Sequence, residues 1–213
     1  MSEVPVRDKL LQEATDQFAA IGYEATTMRS IASRAGVTLP TLYHYFGDKA
    51  NLYLEVCVAC FAPRAERGLA AYSQSTGREE QRVLRFFVEL ARDLLENDNF
   101  FRLMHREMID QDLEGIRLLT ERCWKQSFAA LCAAFGSLVA EDRDAVTTAF
   151  TSFALMFGLV EFRRKAPFLN AELVKHYSPR GLAELVLTTS VPTIEWRQVS
   201  ERSSKTASPP RDA

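Results

Sequence analysis

The 213-residue chain shows no sustained alternation of polar and apolar side chains, so the period of a half-buried β-strand is missing. It also has no glycine-rich phosphate loop, no nucleophile elbow and no H-E-x-x-H pair. No catalytic residue, cofactor or metal is therefore expected, and the chain reads as a non-enzyme. No apolar run is expected to reach the ~18 residues of a membrane span. The start MSEVPVRDKLLQEA lacks the apolar core of a signal peptide. The expected location is the cytoplasm, with no membrane partner. Cysteine is sparse, at Cys57, Cys60, Cys123 and Cys132. All four fall in segments that read as helical, and a reducing compartment argues against disulfides. Neither sign of charge dominates: 26 Lys and Arg face 28 Asp and Glu, a net −2. Bulk charge thus gives no mark of a nucleic-acid binder.

What the chain does have is helical periodicity from end to end, and 47% hydrophobic residues, enough for a real core. Leu10, Leu11, Ala14, Phe18 and Ile21 form an amphipathic stripe that stops at Gly22. Thr27 is placed to cap the helix MRSIASRA, and Gly36 to end it. Thr38 caps the next helix, whose first turn holds Pro40, where a missing N–H costs little. Gly47 ends that helix and Asp48 caps another. Further helices are expected over 79–96, 99–109, 112–135 and 141–165, then after Asn170 and after Ser178-Pro179. From 191 onward periodicity is lost, and the ending SSKTASPPRDA has the composition of a disordered tail. The domain reading is 1–50, 51–190 and a tail over 191–213.

Two short helices joined by a tight turn at Gly36 make a helix-turn-helix pattern. Ile31, Ala32, Val37 and Leu42 supply its small shared core. Tyr43, His44 and Tyr45 are consecutive rings that point in different directions, so at least one is exposed. In such a motif the second helix enters the major groove and its first-turn residues reach base edges. Within residues 25–50, Arg29, Arg34 and Lys49 face only Asp48, which leaves a local positive surface.

The segment TTMRSIASRAGVTLPTLYHYFGDKANLY resembles the N-terminal DNA-binding domain of the TetR family of bacterial transcriptional regulators. The matching features are the Thr before the second helix, IA..AGV, TLY.YF, and K..L entering the fourth helix. The resemblance implies an all-α fold, with a three-helix DNA-binding domain and a larger helical domain for ligand binding and dimerisation. It implies phosphate contacts for Thr27, Tyr43 and Lys49. Arg29 can reach a base or a phosphate, and Thr38 can sit near a phosphate. Leu39, Pro40, Thr41, His44 and Tyr45 take the groove-facing positions, while Leu42 and Phe46 are core. The implied activity is that of a homodimeric repressor on a palindromic double-stranded operator, released by a small, largely apolar effector.

In the larger domain Phe87, Phe101, Met104, His105, Met108, Trp124, Phe128 and Phe157 are the candidate effector contacts. The plain alternative is that aromatics at helical spacing form core. Val146, Phe150, Phe153, Phe157 and Val160, with Leu182, Leu185 and Val186, make apolar faces suited to a dimer through 141–165 and 179–189. These faces cannot all line a pocket as well. The alternative function is a metal- or thiol-responsive regulator using the C-x-x-C pair Cys57/Cys60. An acidic run, Glu107, Asp110, Asp112 and Glu114, reads as a solvated bend.

Overall fold

The computed structural model describes residues 5–109, 113–141 and 143–199, with 108 and 109 described by backbone alone. Every element among them is helical. The chain divides into two compact units, Met1–Glu66 with Asp93–Gln126, and Arg67–Arg92 with Ser127–Ala213.

The first unit begins with α1 (Val6–Ala25), α2 (Met28–Ala35), α3 (Leu39–Phe46) and the front of α4 (Lys49–Ser73). Leu10, Ala14 and Phe18 are fully buried on α1. Ile21, expected on the same stripe, is 53% exposed. Gly22 continues the buried face instead, and its φ of +83° interrupts the helix. The unit also takes in α6 (Asp98–Ile109) and α7 (Leu113–Leu119). The Arg106 guanidinium on α6 donates to the Ala19 and Ala20 carbonyls at 3.4 and 3.2 Å. The Asn99 amide donates to Asp16 at 2.7 Å. These ties to α1 group 93–126 with the N-terminal helices, a different partition from the expected boundary at 50. The expected helix over 112–135 is divided by a π turn, Thr120–Trp124, whose wide ring resets the phase of the apolar stripe. Asp110 and Asp112 lie outside the described residues.

The second unit holds α5 (Glu79–Glu96) up to Arg92, α8 (Lys125–Gly136) from Ser127, α9 (Ala145–Phe162), α10 (Ala166–Leu169) and α11 (Pro179–Ser190). Its core includes Phe87 packed near Phe135 and Phe153, with ring centroids 6.4 and 6.0 Å away. Expected from 141, α9 starts at Ala145, because the Asp144 carboxylate accepts from the N–H groups of Val146 and Thr147 and caps it. At 18 residues and a mean hydropathy of 1.5, α9 is long and apolar enough to cross a membrane by length and composition, contrary to the expectation that no run is. It packs on α11. Val160, Leu182 and Val186 are buried within the chain, and Phe153 sits against Phe86, Phe87 and Phe128. They therefore drop out of the expected outward face, on which Val146 and Phe150 stay 53% and 64% exposed.

The expected tail is corrected over 191–199. Val191 and Trp196 are each 1% exposed, and the Trp196 indole donates to the Val191 carbonyl at 3.0 Å. Arg180 on α11 holds the Val199 carbonyl at 2.8 Å. One aromatic anchor and two carbonyl contacts fix a segment that has no helical period to announce it. Residues 200–213 lie outside the described residues.

Candidate nucleic-acid interface

Thr27 enters α2 in extended conformation, and its hydroxyl accepts from the Ser30 N–H at 3.1 Å. The Ser30 hydroxyl donates to Gln17 of α1 at 2.6 Å, which fixes α2 against α1. Gly36 closes α2 at φ +68°, a conformation open to glycine at little cost. The Val37 N–H then reaches back to the Ala32 carbonyl at 3.0 Å. The chain is thereby turned sharply into Thr38. Its hydroxyl accepts from the Thr41 N–H at 3.3 Å and shares a 2.7 Å bond with the Thr41 hydroxyl. Pro40 occupies the first turn of α3, where no intrahelical donor is needed.

One face of α3 is core. Leu42 is fully buried, Phe46 is 2% exposed, and Ile31 and Ala32 of α2 are buried with them. Helical geometry then points the intervening residues outward. Pro40, Tyr43, His44 and Tyr45 are exposed, while Leu39 and Thr41 are half-buried. His44 and Tyr45 meet edge to face with centroids 5.8 Å apart. A stiff, two-turn rod thus shows three rings and a proline on its outer side.

Thr27, Arg29 and Thr38 are exposed around this rod. Asp48 caps α4 by accepting from the Asn51 N–H at 2.8 Å. Lys49, the first residue of α4, is half-buried and lies 4.3 Å from the Tyr23 ring centroid, with its ammonium donating to the Glu24 carbonyl at 3.4 Å. The end of α1 therefore orients it, which its sequence position did not announce. Arg34 pairs with Glu13 at 3.2 Å, so its charge is largely offset.

The family model for bacterial regulatory proteins, tetR family, matches residues 10–56, the stretch that carries this rod and its supports. Residues 10–56 carry the tetR-family domain. Among curated relatives, the chain is 38% identical over 93 residues to the HTH-type transcriptional activator FasR of Mycolicibacterium smegmatis, covering 44% of this chain and 42% of FasR. It is 48% identical over 50 residues to the HTH-type transcriptional repressor KstR2 of the same organism, covering 24% of each. The matches thus span less than half the length of those relatives. The fold is shared with the transcriptional regulator FadR of Bacillus subtilis, solved in complex with stearoyl-CoA. The TM-score is 0.68 and the identity 18%, covering 89% of this chain and all of that one.

The candidate effector contacts expected from the sequence fall in both units. In the first, Met104 is buried, Phe101 is half-buried and stacked with exposed His105 at 6.5 Å, and half-buried Trp124 lies 6.0 Å from Phe61. The side chain of Met108 lies outside the described residues. In the second, Phe87 is fully buried core, and Phe128 and Phe157 are half-buried.

The C-x-x-C pair of the alternative reading sits on one buried helix face. Cys57 and Cys60 are buried on α4, and burial pushes both thiols up. Burial also raises Cys123 to about 11. A raised thiol is a poorer nucleophile at neutral pH. Among the described residues no three or more His, Cys, Asp or Glu are grouped to hold a metal ion.

Proposed function

We propose that the chain is a ligand-responsive transcriptional regulator that works in the cytoplasm as a homodimeric repressor on a palindromic operator. The observation that carries this reading is the two-faced α3, anchored by Leu42 and Phe46 and bare at Pro40, Tyr43, His44 and Tyr45. The major groove admits one helix. Placed there, Pro40 or Thr41 meets a thymine methyl and His44 a base edge, with Leu39 and Tyr45 beside them. Thr27, Arg29, Thr38, Tyr43 and Lys49 serve the flanking phosphates, Arg29 also being able to reach a base. Residues 1–50 then form the DNA-binding part and 51–190 the effector and dimerisation part. Exposed Val146 and Phe150 on α9 support pairing of two copies through α9 and α11. Two copies set the reading helices about 34–36 Å apart, one turn of duplex.

The effector is a small, largely apolar molecule, and a fatty acyl thioester is the class to try first, since the FadR fold was solved holding stearoyl-CoA. Its differential affinity for two states shifts DNA affinity, and coupling of about 1–3 kcal/mol is typical. The test is a mobility shift on the DNA upstream of the chain's own gene, with stearoyl-CoA titrated in. The expected result is one complex holding two copies on an inverted repeat, dissolved by the thioester. A folded dimer that binds no inverted repeat there would overturn the reading.

A further inference from the structure

Within the second unit, α9 carries its buried residues on one side, at Thr148, Ala149, Ser152, Met156 and Val160. The exposed side includes Val146, Phe150, Ala154, Gly158 and Phe162. Each stands four residues after the last, so together they form one ridge along the helix. Glu161 is the one charged residue of α9. The solvated face of a helix is ordinarily rich in charge, and this one is poor in it.

Gly158 is the unusual member of the ridge. It stands inside the helix, where glycine is less favourable than alanine. A Cβ there would face open space, so nothing else among the described residues requires its small size. It lies in an apolar groove of about 310 Å³, with Leu155, Leu159 and Phe162 of α9, Tyr177, and Leu185 of α11. Phe150 has the opposite character, a large ring held outward at 64% exposure. Ring and hole stand one turn before and one turn after Ala154.

The extent of the open apolar surface argues for what covers it. The exposed apolar side chains between Val146 and Val174 leave roughly 700 Å² to solvent. The largest patch on an ordinary monomer is about 300–600 Å², and a stable pair takes about 800 Å² from each partner. A second copy supplies an equal and equally uncharged face. Such a contact is isologous: where position i of one copy meets j of the other, j also meets i. If the two α9 helices cross in opposite directions at Ala154, positions equally far before and after it come together. Phe150 then meets Gly158 twice, and Val146 meets Phe162. Helices running in the same direction would set ring on ring and hole on hole, which close packing disfavours.

We infer that two copies pair with α9 crossing α9 at Ala154, the Phe150 ring of each copy closing the groove over Gly158 of the other. The inference rests on the homodimer proposed above and fixes its register. Each groove is incomplete without the other copy.

Sedimentation equilibrium on the full chain, without DNA, tests it. Phe150→Ala empties the groove and Gly158→Phe blocks it, and each is expected to weaken the pair about tenfold or more. Both positions are exposed, so circular dichroism is expected to show the helix content of the parent in each variant. The double variant Phe150→Ala/Gly158→Phe exchanges ring and hole. It is expected to pair within about threefold of the parent, a coupling that independent sites would not show. Single variants that pair as the parent does, or a double variant no tighter than the weaker single, sink this register and leave the homodimer standing. A parent that sediments as one copy sinks the homodimer itself, and the register with it.

Discussion

Gly22 stands at φ +83°, ψ 175°, a combination that residues with a Cβ scarcely visit. A Cβ there would lie 2.5 Å from Nη1 of Arg106, the side chain that donates to the Ala19 and Ala20 carbonyls. Backbone strain and displacement of Arg106 act together at this one residue. Gly22→Ala is expected to cost about 2 kcal/mol or more, measured as a lowered urea midpoint at unchanged slope. The sequence marked Gly22 as the end of a stripe; only the fold supplied Arg106, 84 positions later. Lys49 teaches the same lesson. Its place at the start of α4 was legible, and its seat on Tyr23 was not, because that contact joins elements distant in the chain.

At the scale of elements, caps and punctuation were the most readable features, since each is settled within four residues. Thr27, Thr38, Asp48 and Ser178 all cap as their positions suggest. The corner between α4 and α5 is different, and its chemistry gives a pH dependence. The Tyr72 hydroxyl donates to Glu79 at 2.5 Å, and Arg82 lies over its ring at 4.2 Å. Burial first, and then the bond to Glu79, push Tyr72 up to about 12. The folded state thus holds this proton more tightly than the unfolded chain does. Its contribution is complete below about pH 10, the ordinary tyrosine value, and is lost as pH rises through the folded value. Denaturation midpoints followed upward from pH 8 are expected to fall more steeply for the parent than for Tyr72→Phe. A parent curve no steeper than the variant's would remove the corner's role.

The whole molecule poses an electrostatic problem, because a net charge of −2 gives DNA no general attraction. On the proposed reading, affinity comes from few, well-placed cations, doubled by the proposed pairing of two chains. With Arg29 and Lys49 on each copy, the slope of log affinity against log salt is expected to be about −4. Arg29→Ala should reduce its magnitude by about 2 for the dimer, read from mobility shifts across a salt series. A slope unchanged by that substitution would take Arg29 off the phosphates.

The sequence by itself determined the helical class, the caps and the exposed edge of α3, because helical period and capping are local and α3 is short enough for its pattern to leave one answer. The tertiary structure decided which apolar faces are spent internally, as Phe153, Val160 and Leu182 are. It also ordered 191–199 through Trp196. Those outcomes depend on which distant side chain fills a given space, and no periodicity in one segment records the shape of its neighbour.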